Sequence, residues 1–220
     1  MDIKETLALL SCVLLVLCGY IYGAKFVSRG NYLLGFEWMI VAFSGSNLLI
    51  WMLIQADLPG LAKINYNISY FLDAFSRGFG IPIVAVLGLM AVTHSFKPSA
   101  FKDALIFVVT FAATFVLIKA DFMVKPLPYY YVSMWGVYTL YLAYFIWKLS
   151  GVGEKWHALG VTLGGALGLM VACIYDFFPI PGDETKMVFL TIALVSWSYM
   201  MVQLYYSYFA FERAKAVRIR

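Results

Sequence analysis

The stretch Leu105-Ile-Phe-Val-Val-Thr-Phe-Ala-Ala-Thr-Phe-Val-Leu-Ile118 holds nothing polar but two threonines. On a helix a threonine hydroxyl can bond a carbonyl of its own preceding turn, so every polar group of this segment can be satisfied without water. A helix that is apolar all round belongs either in the centre of a large core or in lipid. How many such segments the chain holds decides between the two.

A window of about 19 residues finds seven apolar runs, at 5–26, 35–56, 66–93, 102–120, 128–149, 156–178 and 186–211. Each is long enough to cross about 30 Å of hydrocarbon at about 1.5 Å per residue. Seven such runs in 220 residues leave no soluble exterior to hide them. The composition says the same: 63% apolar and 13% charged, against roughly 45–50% and about 25% in a soluble domain. Mean hydropathy is +0.84. The expected fold is all-α and polytopic, a seven-helix transmembrane bundle forming a single domain over residues 1–220. The connectors are too short for a nucleotide-binding or nucleic-acid module. The lipid bilayer is the expected partner, nucleic acid is not, and the expected location is the plasma or bacterial inner membrane.

The first run contains Leu9-Leu10-Ser11-Cys12, loosely like a lipoprotein box. Asp2 and Glu5 outweigh Lys4 before it, and the apolar stretch continues past Cys12. A signal peptide needs a basic start and a shorter core, so this run reads as a retained first helix.

Assigning the loops alternately to two sides sorts the charges. One side collects ten lysines and arginines with four acids, including the tail from Arg213 to Arg220; the other collects five with seven acids. The positive-inside rule then places the N-terminus outside and the C-terminus in the cytoplasm. The basic tail reads as an anchor to anionic lipid.

Polar residues at helical spacing mark the side of a membrane helix that faces protein or water. Glu37, Ser44, Asn47, Trp51 and Gln55 fall within about 80° on the second run, and Asp73, Ser76, Arg77 and Gly80 within about 100° on the third. Ser196, Tyr199, Gln203 and Ser207 do likewise on the seventh. These three runs are expected to meet around a polar interior. The fourth, nearly featureless, is expected at the periphery.

Asp73 and Arg77 are one turn apart and can pair, which lowers the cost of holding either in a bilayer. Both precede Gly78, Gly80 and Pro82, and a proline here leaves the carbonyl near Gly78 without an amide and is expected to kink the helix. One reading is an outward-facing pocket in which Arg77 holds an anionic group and Asp73 orients it. The other is a structural pair whose arginine snorkels to the surface. Asn47 and Gln203 are expected along a solute's route, and Asp176, at the outer end of the sixth run, could close the pocket. Glu37, near the cytoplasmic end of the second run, reads as an interfacial, solvated carboxylate. His94 and His157 have no third ligand nearby, so neither a metal nor a cofactor is expected.

Gly160, Gly164 and Gly168 form a small-residue ridge suited to close helix packing, within the bundle or against a second copy or another membrane protein. Leu58-Pro59-Gly60 and Ile180-Pro181-Gly182 hint at an internal repeat. The last run lacks the lysine that a retinal Schiff base needs. The leading functional expectation is a carrier or permease for a small solute, with a pocket between the second, third and seventh helices. The alternative is a non-catalytic sensor or an assembly subunit of a larger membrane complex. An intramembrane lipid-modifying enzyme comes third, since no nucleophile and base are suitably spaced.

Overall fold

The computed structural model of the protein describes residues 2–218. Met1, Ile219, Arg220 and the side chain of Arg218, the last two counted in the basic tail, lie outside the described residues. The fold is all-helical, with no strand among the described residues.

Helix α1, Ile3–Val27, opens on a capping box in which Asp2 accepts from the Glu5 amide and Glu5 accepts from the Asp2 amide. Two orphan amides of the first turn are thereby satisfied. Helix α2, Tyr32–Ile54, is capped by Asn31, whose side chain also donates to the Gly88 carbonyl of the next helix. Helix α3, Pro59–Thr93, starts with Pro59 in its first turn, well before the apolar run expected from residue 66. A proline is suited to that position because its missing amide would be unpaired anyway. Helix α4 is Ala100–Lys119, α5 Leu127–Gly151 and α6 Lys155–Asp176. Helix α7, Met187–Arg218, continues past residue 211, where the apolar run stops. Asp183 accepts from the amides of Val188 and Phe189 at its start.

Six of these helices, all but α5, are long and apolar enough to cross a membrane, and they are compatible with a multi-pass membrane protein. Helix α5 has the length, at 25 residues. Its tyrosines and tryptophans, from Tyr129 to Trp147, lower its hydropathy.

Neighbouring helices close a ring in the order α1, α2, α3, α5, α6, α7 and back to α1. Helix α4 lies outside that ring, stacked on α3 through Phe111 and Phe75, whose centroids are 4.3 Å apart. Its two threonines bond carbonyls of their own helix, as their sequence context implies. The α1–α2 pair is tight because glycines line it: a Cβ on Gly23 would stand 2.8 Å from the Gly35 carbonyl oxygen. Large side chains fill the ring's middle, among them Trp38, Trp135, Tyr138 and Met200. Consecutive helices alternate in direction. One end of the bundle therefore carries the start of α1 and the connections 55–58, 120–126 and 177–186. We call this the N face, and the end carrying 28–31, 94–99, 152–154 and the end of α7 the C face. The two tripeptides that hinted at a repeat differ in structure. Pro59 begins a helix, whereas Gly182 sits in a turn with φ at 75°.

Candidate functional site

The site is built on an irregular part of α3. Residues Ser76–Ala85 are wound as a π-helix, a form that is rare and often marks functional positions. Pro82 has no amide to give to the Gly78 carbonyl. The Tyr130 hydroxyl of α5 donates to that carbonyl instead, at 3.1 Å. The expected break is thus absorbed by wider winding and a partner from another helix.

Arg77 is the second residue of this segment and is only 5% exposed. Its guanidinium lies between the rings of Tyr131 on α5 and Tyr175 on α6, 4.1 and 4.0 Å from their centroids. It donates to the carboxylate of Asp176. Asp73, the partner expected from spacing alone, stands farther off at 3.9 Å. Arginine suits such a site, since its flat group stacks on rings and bonds a carboxylate at once. The arginine does not snorkel to the surface.

Beside this cluster a cavity of about 240 Å³ opens at the N face between α2, α3 and α7. Asp73, Ser76 and Arg77 form its α3 wall, Ser44 and Trp51 contribute from α2, and Trp197 from α7. The Ser76 hydroxyl and the Trp197 indole N–H are buried without hydrogen-bond partners.

Glu37 lies one layer deeper. It is 0% exposed, and neither carboxylate oxygen has a hydrogen-bond partner. The reading of Glu37 as a solvated end is therefore corrected: α3 packs over its carboxylate at Gly80. Gly80 makes the room, since a Cβ there would lie 2.3 Å from a Glu37 oxygen. Ser76 stands near the same carboxylate, without a hydrogen bond of ordinary geometry.

A second cavity, of about 510 Å³, opens at the C face and is lined by Asn31 and Leu33 of α2, Leu87 and Gly88 of α3, and Tyr208 and Glu212 of α7. The linings of the two cavities are separated by residues 82–86 on α3, by 34–40 on α2 and by 198–207 on α7, roughly 8 to 15 Å of helix. Glu37 lies between the two linings on α2, and Gly80 packs over it at the N-face edge of that layer.

Of the five residues singled out from sequence, the structure brings Asp73, Arg77 and Asp176 together. Asn47 is buried but off the cavity, its amide donating to the Phe43 carbonyl of its own helix at 2.8 Å. Gln203 is also off it, tied to the His157 carbonyl and the Ser207 hydroxyl at the α6–α7 seam. The glycine ridge is used within the chain: Gly160 and Gly164 face α7, and Gly168 faces Trp135. The burial of Glu37 went unforeseen although it belongs to the polar stripe of α2, because its place near a helix end outweighed its face. The rings around Arg77 left no signal, since tyrosines near helix ends read first as interfacial belts.

Compared with protein-family models, with curated proteins and with solved structures, the chain finds no match.

Proposed function

We propose that the chain is a membrane carrier for a small solute, a single domain crossing the bilayer seven times with α5 as the seventh crossing. The N face is outside and the C face in the cytoplasm. The C face holds Lys25, Arg29, Lys97, Lys102, Lys148 and Arg213, and so is the side a positive-inside rule retains.

The observation that carries this reading is the pair of cavities on opposite faces, with the irregular stretch of α3 running between them. Alternating access needs a binding site, a route from each side and a deformable wall between them. The N-face cavity, with Asp73 and Arg77 in its wall, supplies the site, and the π-helical stretch of α3 supplies the deformable element. A buried carboxylate between the two linings is what intramembrane pathways hold and inert cores avoid.

Uptake by proteoliposomes containing the full-length chain, measured over a broad panel of radiolabelled solutes, tests the proposal. At least one solute should accumulate faster than in empty liposomes, and Asp73→Ala should abolish that difference. A full panel showing no flux above empty liposomes, or flux unchanged in both Asp73→Ala and Arg77→Ala, would overturn it.

A further inference from the structure

The charged groups of the N-face cavity are unequally engaged. Arg77 has Asp176 on its guanidinium and a tyrosine ring on each side. Lys186, the other cation at the cavity, is exposed and lies 5.4 Å over the Tyr175 ring. Asp73 faces Arg77 at 3.9 Å, beyond hydrogen-bond length, and a quarter of its side chain is open. In the buried cluster two carboxylates share one guanidinium, and the loosely held carboxylate is the one on the cavity wall. An incoming anion would have to draw Arg77 from Asp176, leaving a carboxylate unpaired in a low-dielectric site. An incoming cation competes only with the long 3.9 Å contact between Asp73 and Arg77 and leaves the hydrogen-bonded Arg77–Asp176 pair intact.

The rest of the lining suits the same ligand. Trp51 and Tyr66 pack with centroids 5.5 Å apart, and Tyr66 and Tyr70 stack at 6.4 Å, so one wall is a run of aromatic rings. Ring faces attract cations, most strongly where water is scarce. Trp197 and Phe189 stand in the α7 wall. The unpartnered Ser76 hydroxyl, 6% exposed, lines the same space and can bond a polar hydrogen of the guest.

We propose that this cavity binds an organic cation: an ammonium group on a small apolar body, its charge on Asp73 and its body against Trp51, Tyr66, Tyr70 and Trp197. The inference rests on the N-face cavity being the solute site of the proposed carrier. It reverses the role read from the sequence, where Arg77 was the ligand's partner. Arg77 is a positioning residue that holds the wall together, and Asp73 is the recognition group.

The test uses the full-length chain in lipid nanodiscs and three probes of one shape: phenethylammonium, 2-phenylethanol and phenylacetate. Calorimetric titration of the wild type should rank the cation first, by about tenfold or more, as a charge-assisted contact does. Asp73→Asn should bring phenethylammonium and 2-phenylethanol to the same affinity. Equal or tighter binding of phenylacetate, no binding of phenethylammonium, or an unchanged preference in Asp73→Asn would overturn the inference. The wild-type ranking decides by itself should the variant fail to fold. Binding of phenethylammonium without its flux into proteoliposomes would leave the inference standing and count against the carrier reading. Flux of some other solute with no cation binding would do the reverse.

Discussion

Arg77 and Asp176 are 99 residues apart in the chain and form a hydrogen-bonded ion pair in which both side chains are less than a tenth exposed. The pair joins the π-helical stretch of α3 to the last residue of α6. It therefore ties the α1–α3 side of the ring to the α5–α7 side at the edge of the N-face cavity. The joint is electrostatic, and a cavity wall held this way resists splaying while the stretch beside it keeps its irregular winding.

Removing one partner of a buried pair strands the other, at a cost of roughly 3–5 kcal/mol. Asp73 can take over part of the role of Asp176, so we expect Asp176→Asn to lower stability by about 2–4 kcal/mol. Asp73→Asn should cost less than half as much, because its contact is long and its side chain partly open. Thermal unfolding of the two variants in the same nanodiscs measures the difference. Equal losses would show Arg77 shared evenly between the two carboxylates.

Glu37 and Gly80 are complementary in shape. A methyl group at residue 80 would overlap the Glu37 carboxylate, which is walled in on all sides and cannot swing away cheaply. Gly80→Ala should therefore destabilise by about 1–3 kcal/mol, as overpacking does. Placed on Glu37→Ala, which empties that space, the same change should cost close to nothing. A double-mutant cycle by thermal unfolding reads the coupling, and additive losses would place the carboxylate elsewhere.

Much of the fold was legible because long apolar runs in so short a chain have few structures open to them but helices. The apolar runs fell on helices, and α4, lacking any polar stripe, lies outside the ring. The ends were read less well. Apolarity alone says nothing of residues 59–65, which are helical with Pro59 in the first turn, nor of α7 beyond 211, where charged residues continue the helix. At the cavity, the nearness of Asp73 and Arg77 was legible because charge in an apolar run is conspicuous and their spacing is local. Asp176 was noted as a pocket-closing residue, but its pairing with Arg77 depends on a 99-residue separation that no periodicity encodes. Asn47 and Gln203 misled for the same reason. A polar side chain on a shared face is equally content with its own carbonyl or a neighbouring seam, and sequence cannot say which.

Two glycines of α6 separate the cost of overlap with a rigid neighbour from overlap with a flexible one. A Cβ on Gly168 would stand 2.5 Å from the Trp135 ring, which is buried to 1% exposure. On Gly160 it would meet the amide of Gln203 at 2.3 Å, the far end of a long side chain. Gly168→Ala should cost about 1–3 kcal/mol. Gly160→Ala should cost only the Gln203 bond to His157, about 0.5–1.5 kcal/mol. Comparing the two unfolding midpoints checks this, with intrinsic Trp emission shifting in the first variant alone.

The hydroxyl of Tyr130 donates to the Gly78 carbonyl, which ordinary α-helical winding would leave without an amide because of Pro82. Tyr130→Phe leaves the Gly78 carbonyl without that donor and should lower stability by about 0.5–1.5 kcal/mol. Pro82→Ala returns an amide to the helix, which can bond a carbonyl of the preceding turn. In that background Tyr130→Phe should cost measurably less, since the carbonyl is no longer dependent on α5. The same substitution should draw residues 76–85 towards ordinary α-helical winding and slow solute flux, because the deformable part of the wall between the cavities is lost. Unfolding of the four proteins in the cycle reads the first effect, and uptake by Pro82→Ala proteoliposomes reads the second. Flux equal to the wild type with the coupling intact would separate the irregular winding from transport.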